Sequence, residues 1–244
     1  FNSCTNGEWL WGYSATQDDN DAAYTMYFKD KSMDGYGSLC VDPYFVDNFS
    51  DDDYRKDLFQ NWGYTAQGGK VVRLLNDKFY FQDIDNQITD MDLMRTSEMY
   101  LIKAEAAYYL NKISEAQETL HTLQQARMKA GKTAPAITAT GEDLLKAIWL
   151  ERRKELWGEG FSITDIIRNQ QSIERKEFEG EVVIKDEDED GNITEEKGTG
   201  TGHDILKFND GTDFCPNSKY YLYRIPLNEE LQNTNLYKNH QKLD

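Results

Sequence analysis

Histidine, cysteine and proline are scarce in this chain of 244 residues, which contains three, three and four of them respectively. The cysteines, Cys4, Cys40 and Cys215, form no CxxC pair, and the histidines are scattered. Zinc sites need such residues at short, regular spacings, so we expect no metal site of this kind and no cofactor. The odd number of cysteines allows either one disulfide with a free thiol or three free thiols.

Basic side chains are also in deficit, with 27 Lys and Arg against 44 Asp and Glu and a net charge of −17. Nucleic acids and anionic lipid surfaces need a basic face, so both classes of partner are excluded. The sequence contains no run of 18 apolar residues that could span a bilayer. It begins with Phe1 and carries no signal peptide, and we interpret this start as a domain boundary.

Aromatic residues, in contrast, make up 13% of the chain. Most of them should form core, while exposed ones could stack on the flat apolar faces of a sugar. We expect residues 1–90 to be an irregular, aromatic-rich loop region with one short hairpin. That hairpin would pair residues 71–75 with residues 78–81 around Asn76 and Asp77. The acidic cluster at residues 17–21 is interpreted as a solvated turn, with a calcium site as the alternative.

Helical periodicity characterises residues 91–170, which we predict to be a helical core. The apolar stripe of the first helix includes Leu93, Leu101 and Ala104, and a turn at residues 111–113 leads into the second helix. Small residues at Ala104 and Ala116 let two helices approach closely, as in tetratricopeptide repeats. The sequence therefore predicts a mainly α fold: a tetratricopeptide-like αα-superhelix core with long irregular loops and small β-hairpins.

Capping signals place the ends of these helices. Ser114 is predicted to cap the second helix and Gly131 to end it, while Thr140 caps the third. A short fourth helix is predicted over about residues 162–169. Gly158 and Gly160 are predicted to end the third helix.

Residues 171–244 are predicted to be a β-hairpin insertion followed by a C-terminal tail that packs on the core. The segments 181–184 and 193–195 would form the hairpin, with Asp190 and Gly191 at its turn. A calcium loop is the alternative for residues 186–197, but Lys197 stands where such a loop needs a glutamate.

A set of charged, small and apolar residues runs through the helical region. They are Arg95, Glu98, Tyr100, Leu101, Ile102, Ala104, Glu115, Ala116, Arg127, Ile148, Glu151, Arg152, Arg153, Glu155, Glu159, Gly160, Asp165 and Arg168. In the tail, Arg224, Ile225 and Pro226 precede Glu229 and Leu231. This pattern resembles the SusD/RagB family of Bacteroidetes nutrient-binding lipoproteins, of which the chain resembles the C-terminal half.

The resemblance implies that the whole chain is one SusD/RagB C-terminal domain. Members of the family bind glycans, or in some cases peptides, on the extracellular face of the outer membrane. They cover a TonB-dependent, SusC-like barrel and take part in polysaccharide utilisation and nutrient uptake. They are not enzymes, and a lipid anchor in the N-terminal half holds them to the membrane. These properties are expected for this chain.

Candidate ligand-binding residues come from the aromatic loops, because the family carries no fixed binding motif. Aromatic rings in glycine-rich or loop segments can stack on sugar C–H faces, and polar neighbours can bond the hydroxyls. The selected residues are Trp11, Tyr13, Tyr36, Trp62 and Tyr64 as stacking rings, with Asn61 as a polar partner.

Two other functions compete with glycan binding. A helical-repeat module could serve protein–protein docking alone. A hydrolase is the third possibility, because Glu151, Glu155 and Glu159 are carboxylates at regular spacing. Their spacing places them on one helix, whereas a glycosidase pair must face each other across a sugar bond. We therefore interpret them as scaffold residues paired with arginines, and rank the hydrolase last.

Overall fold

The structure is a computed structural model that describes residues 3–18, 40–66, 69–86, 88–177, 180–187, 193–200, 203, 205–223 and 232. For residues 60–66, 69–75, 181–187 and 193–200 only the backbone is described. Tyr36 and the turn at Asp190 and Gly191 lie outside these residues, as do residues 19–21 and 188–192 of the two calcium candidates. None of the described helices is long and apolar enough to cross a membrane.

Three long helices pack together: α2 (Thr96–Tyr109), α3 (Ile113–Ala126) and α4 (Gly141–Glu155). A shorter helix, α1 (Pro43–Val46), precedes them and α5 (Ser162–Arg168) follows. The core between the three long helices consists of Ala104, Ala107, Ala116, Leu120, Leu144 and Ile148, each at most 4% exposed. The alanines let the helices approach closely, and the larger side chains fill the space between them. The predicted mainly α, tetratricopeptide-like fold is confirmed.

Two of the predicted helix ends are wrong. Helix α3 begins at Ile113, with Lys112 as its N-cap, so Ser114 lies inside the first turn and caps nothing. The preceding Asn111 has a φ of 58°, a left-handed conformation that makes the sharp turn between the helices. Helix α3 also ends at Ala126, well before Gly131. It ends there because the next residues pair with another segment: Met128 bridges to Asp53.

A second buried cluster surrounds helix α1. Asp42 caps this helix by accepting a hydrogen bond from the amide of Tyr44, and Phe45 of the helix packs against Phe49 with their rings 5.4 Å apart, edge to face. Trp157 is partly buried and packs against the cluster through an edge contact of 5.8 Å with Phe59. Aromatic edge contacts of this kind add to the stabilisation from burial.

The described strands form two sheets. One is a two-stranded antiparallel ribbon of β1 (Trp9–Tyr13) and β4 (Met91–Arg95). The other has the order β2-β3-β6-β5, with strands β2 (Phe59–Ala66), β3 (Gly69–Asn76), β5 (Glu181–Glu187) and β6 (Ile193–Gly200). Strands β5 and β6 are antiparallel, which confirms the predicted hairpin insertion, while β3 and β6 are parallel.

The predicted hairpin around Asn76 and Asp77 is wrong. Strand β3 runs through residues 71–75, but its antiparallel partner is β2, and residues 78–81 are not a strand. Lys78 is instead drawn inward, where its ammonium donates to the carbonyls of Glu155 and Trp157. Its buried position satisfies those helix-end carbonyls and prevents the segment from turning back along β3.

The chain divides into two compact units, Phe1–Trp157 with Glu177–His203, and Gly158–Lys176 with Asp204–Asp244. The first holds the three long helices and both sheets. The second holds α5 and an aromatic cluster in which the Phe208 ring lies 4.8 Å from that of Tyr220 and 4.9 Å from that of Phe214. The division into regions 1–90, 91–170 and 171–244 stays a prediction. Cys4, Cys40 and Cys215 are free thiols.

Candidate functional site

The ribbon of β1 and β4 exposes four large apolar side chains. Leu10 and Trp11 on β1 are 54% and 63% exposed, and Leu93 and Met94 on β4 are 43% and 38% exposed. In a regular strand, neighbouring side chains point to opposite faces, so two exposed apolar neighbours on each strand are unusual. The irregular register of the ribbon coincides with these positions.

Two register shifts flank Trp11. Trp9 pairs with Arg95 and Trp11 with Met94, so two steps along β1 match one step along β4. The next pair, Gly12 with Asp92, skips Leu93 on β4. Bulges of this kind bend the strand and re-aim side chains. They occur where the four exposed apolar side chains of the ribbon lie, and Trp11 is the most exposed of these four.

Gly12 allows the backbone of Met91 and the side chain of Trp9 to approach β1 closely. A Cβ atom at this position would lie 2.6 Å from the Met91 carbonyl oxygen and 2.7 Å from the indole of Trp9. These distances are shorter than real carbon contacts, so only glycine fits without a shift of the ribbon. The indole of Trp9 thus rests against the backbone and supports the strand from inside.

Asp90 holds the two chain segments that flank β1. Its carboxylate accepts hydrogen bonds from the amides of Cys4, 2.8 Å away, and Ala15, 3.1 Å away, and from the side chain of Gln82 at 3.0 Å. Burial would raise the pKa of Asp90, but these bonds, led by the one from Cys4, lower it to about 2. The carboxylate is therefore ionised at neutral pH and fixes both ends of β1.

Two of the three glutamates considered for catalysis, Glu151 and Glu155, belong to a buried charge cluster, while Glu159 lies beyond the end of α4. Glu155 is bound by three arginines: Arg55 at 2.7 Å, Arg127 at 2.9 and 3.1 Å, and Arg95. Its side chain is 3% exposed. Burial raises the pKa of Glu155, but the arginines hold it well below its usual range.

The remaining members of the charge cluster complete its pairing. Arg55 also pairs with Asp53 at 2.7 Å and with Glu151 at 2.7 Å. Glu151 accepts a further bond from Gln124 at 3.0 Å. Glu155, which the arginines keep ionised, cannot act as a general acid, and Glu151 and Glu155 are both too deeply buried to reach a polymeric substrate. The arrangement matches the scaffold interpretation of Glu151 and Glu155.

The predicted ligand residues fall on two different sheets. Trp11 and Tyr13 lie on the ribbon, where Tyr13 is half-buried and pairs with Met91. Asn61, Trp62 and Tyr64 lie on β2 of the four-stranded sheet. The expectation that these three occupy a glycine-punctuated loop is wrong, because Gly63 pairs with Val72 within a continuous ladder. Tyr36 lies outside the described residues.

Sequence reasoning missed the apolar partners of Trp11 and a second exposed surface. Leu93 was assigned to the buried stripe of the first helix, but it lies on β4 and is exposed. On α2, the side chains of Ile102 and Tyr109 are 47% and 63% exposed, and Leu110 just beyond it is 68% exposed. With Met99 and Ala106 they form a stripe at intervals of three and four residues, opposite the buried face.

This second surface, the outer face of α2 (Met99, Ile102, Ala106, Tyr109 and Leu110), had a signal in the sequence. Apolar residues surround the helix on both sides, whereas a surface helix normally has one apolar stripe. Only the stripe that includes Leu101 and Ala104 was taken into account.

Comparison with known proteins places these features in context. The family model described as "SusD family" matches residues 57–241. A SusD-like protein of Formosa agariphila is 30% identical over 116 residues, which are 45% of this chain and 23% of that protein.

Solved structures are similar over longer stretches. The crystal structure of a SusD-like carbohydrate binding protein from Bacteroides vulgatus is 46% identical with a TM-score of 0.84, and it covers all of this chain. A second Bacteroides vulgatus structure, of a SusD superfamily protein, is 22% identical with a TM-score of 0.55 over 70% of this chain, and shows a shared fold alone. The chain spans 51% of the first of these structures.

Proposed function

This chain belongs to the SusD family, and we propose that it binds a glycan at the cell surface without cleaving it. The related Bacteroides vulgatus protein is described as carbohydrate binding, which supports the proposal. The observation that carries it is the indole of Trp11, which is 63% exposed on the ribbon of β1 and β4.

The chemistry of this surface suits a sugar. A pyranose ring has flat C–H faces that stack on indole, and its hydroxyl edge needs hydrogen bonds. Leu10, Leu93 and Met94 extend the apolar area around Trp11. The close contact at Gly12 leaves the strand little room to shift, so little conformational freedom would be lost on binding.

The other candidate residues complete the proposal. Tyr13 on the ribbon, together with Trp62, Tyr64 and Asn61 on β2, would contact further sugar units of a longer chain. Tyr36 belongs to the same proposal. An extended oligosaccharide can engage separated surfaces, whereas a monosaccharide cannot.

Absence of catalysis is part of the proposal. It is supported by the burial and ion pairing of two carboxylates: Glu151 and Glu155 are buried and paired with arginines. Retaining and inverting glycosidases both need two carboxyl groups facing one glycosidic bond, and one of them must carry a proton. The charge cluster offers neither condition.

The cellular setting follows from the family. We propose that the protein acts on the extracellular face of the outer membrane, anchored by a lipid, and passes glycan to a TonB-dependent, SusC-like barrel. The net charge of −17 agrees with a partner that is neither nucleic acid nor anionic lipid. Membership of the SusD family supports this setting.

Protein docking is the second candidate function, and the outer face of α2 favours it. Large apolar side chains at Ile102, Tyr109 and Leu110 are exposed at helical spacing. Such stripes mark contact surfaces for another helix or protein. In our proposal this face contacts the barrel, while the ribbon contacts the glycan.

A pair of matched substitutions tests the assignment of Trp11. Calorimetric titration with a panel of oligosaccharides first identifies a ligand, and Trp11→Ala should then weaken its affinity about tenfold, the equivalent of ~1.4 kcal/mol. The control is Tyr109→Ala, since both side chains are 63% exposed aromatics. The control should leave glycan affinity unchanged and weaken binding to a purified barrel.

Two outcomes would contradict the proposal. Unchanged affinity in Trp11→Ala would show that the ribbon is not the glycan surface. Failure of the unmodified chain to bind any oligosaccharide, combined with retention by the barrel, would favour docking as the sole function.

A further inference from the structure

Glu8, the residue before β1, connects the exposed ribbon with the buried charge cluster. We infer that the ion pair between Glu8 and Arg127 positions Trp11 for ligand binding. Glu8 is thus a positioning residue for the glycan surface. The inference rests on the proposed function of Trp11, and the experiment below separates the two.

The contact between Glu8 and Arg127 is bidentate. The two terminal nitrogens of the guanidinium, Nη1 and Nη2, donate to Glu8 Oε1 and Oε2 at 2.8 and 2.7 Å. The Glu8 side chain is 43% exposed, whereas that of Arg127 is 6% exposed. A fork of this geometry fixes direction as well as distance. It therefore restrains the chain at a point three residues before Trp11.

Arg127 is itself immobilised by Glu155. Its Nε and Nη2 atoms donate to Glu155 at 3.1 and 2.9 Å, on the side away from solvent. Burial lowers the pKa of Arg127, but the hydrogen bonds that it donates to Glu155 and Glu8 raise this pKa above its usual value. The guanidinium is therefore always charged, and it holds one buried and one accessible carboxylate at the same time.

Both strands of the ribbon are tied to this cluster. Arg95, the last residue of β4, pairs with Trp9 in the ribbon and also binds Glu155. The carbonyl of Glu8 accepts bonds from the Thr96 amide at 2.8 Å and the Thr96 hydroxyl at 3.1 Å. Without its carboxylate contact, Glu8 would still be attached to Thr96. Loss of the ion pair should therefore loosen the ribbon without detaching it.

The position of the bulges makes this restraint matter for Trp11. The register shift lies between Trp9 and Trp11, immediately after the anchored residue. A bulge lacks the regular ladder bonds that would otherwise fix the direction of the strand. The direction of the strand at Trp11 thus depends on the contacts of the chain before the bulge. There the side chain of Arg127 binds Glu8.

The test measures Trp11 directly in the protein without ligand. The chain is labelled with 5-fluorotryptophan, and the fluorine resonance of Trp11 is identified by its loss in Trp11→Phe. Glu8→Gln should shift and broaden this resonance and lower affinity for the glycan about fivefold. The control is Glu115→Gln, because the Glu115 side chain is 41% exposed and pairs with Lys112 on the surface. It should change neither quantity.

The remaining variants keep the inference falsifiable. Thr96→Val removes the hydroxyl bond to the Glu8 carbonyl and leaves the charge cluster intact, so it should broaden the Trp11 resonance to a smaller extent even if Glu8→Gln fails to fold. An unchanged Trp11 resonance in either folded variant would overturn the inference. If Trp11→Ala leaves glycan affinity unchanged while Glu8→Gln broadens the resonance, the positioning role stands and the glycan assignment fails.

If Glu8 bound the sugar directly, Glu8→Gln would lower affinity while the resonance of the free protein stayed as in the unmodified chain. That result would also overturn the positioning role.

Discussion

The charge cluster and the ribbon lie side by side and are joined through Glu8 and Arg95, yet they are built in opposite ways. In the charge cluster, the side chains of Arg55, Arg127 and Glu155 are at most 7% exposed, and each contacts an opposite charge. In the ribbon, Leu10, Trp11, Leu93 and Met94 are exposed and apolar. The first region buries charge and the second exposes apolar surface, which are the two arrangements that folding alone disfavours.

This difference separates the scaffold of the molecule from the region in which we expect its function. Buried charges are tolerated because they pair, and their pairing over long sequence distances fixes which segments meet. The exposed apolar side chains have no comparable compensation within the described residues. The buried charged residues that identify the family are thus scaffold, while the surface that we propose for a ligand lies on the short ribbon that the scaffold holds.

The largest effect should come from breaking the charge cluster. Glu155→Gln removes the charge that three arginines share, leaving buried guanidinium groups without their anion. Loss of one partner of a buried pair costs about 3–5 kcal/mol, so the free energy of unfolding should fall by that amount in a urea titration. The control is Glu142→Gln, whose partner Lys146 is 3.9 Å away on the exposed surface of α4. It should change stability by less than about 0.5 kcal/mol.

If Glu155→Gln proved as stable as the control, the cluster would not be the anchor of the fold. The contrast between a paired scaffold and an apolar ribbon would then lose its basis.

A smaller effect is expected from the ribbon itself. Gly12→Ala places a methyl group against the Met91 carbonyl and the Trp9 indole, and the ribbon must shift to admit it. Overpacking of this kind costs about 2 kcal/mol. The matched control is Gly7→Ala, because a Cβ atom at Gly7 would meet no atom within 4 Å. Thermal unfolding should separate the two variants, and glycan affinity should fall only in Gly12→Ala; equal behaviour would mean that the close contact behind Trp11 is unimportant.

The helical core could be predicted because its signals are local. Leu101, Ala104, Ala116 and Leu120 recur at helical spacing, and the structure buries all four. Helix ends were less predictable because distant contacts determine them. Helix α3 stops at Ala126 so that the following residues can pair with Asp53, and this partner is far away in the sequence.

The ribbon could not be predicted for the same physical reason. Leu93 has the spacing of a helical residue, but β4 continues to Arg95, where the chain meets Glu155 across 60 residues. The register shifts around Trp11 depend on which residues of β1 and β4 pair, and no local pattern encodes that choice. Trp11 was selected as an exposed ring, whereas its apolar neighbours could be recognised only from the pairing.

The smallest expected effect separates the two regions by their response to acid. Asp90 has a pKa of about 2 in the folded chain, while an unfolded aspartate titrates near 3.9. Because the folded pKa is the lower one, Asp90 contributes its full stability above about pH 4 and loses it as the pH falls towards 2. The difference in free energy of unfolding between the unmodified chain and Asp90→Asn should therefore be about 1 kcal/mol smaller at pH 3 than at pH 6.

The pKa of Glu155 is also lowered, well below its usual range, but Glu155 is held by fixed arginine charges. Asp90 instead accepts bonds from the amides of Cys4 and Ala15, at the two ends of the β1 segment. Acid should thus release the ribbon first. Hydrogen exchange at pH 3 should show faster exchange for the amides of Cys4 and Ala15 than at α2 and α4, after correction for intrinsic rates. Equal acceleration in the helices would mean that the ribbon and the charge cluster open together and that their contrast is not one of stability.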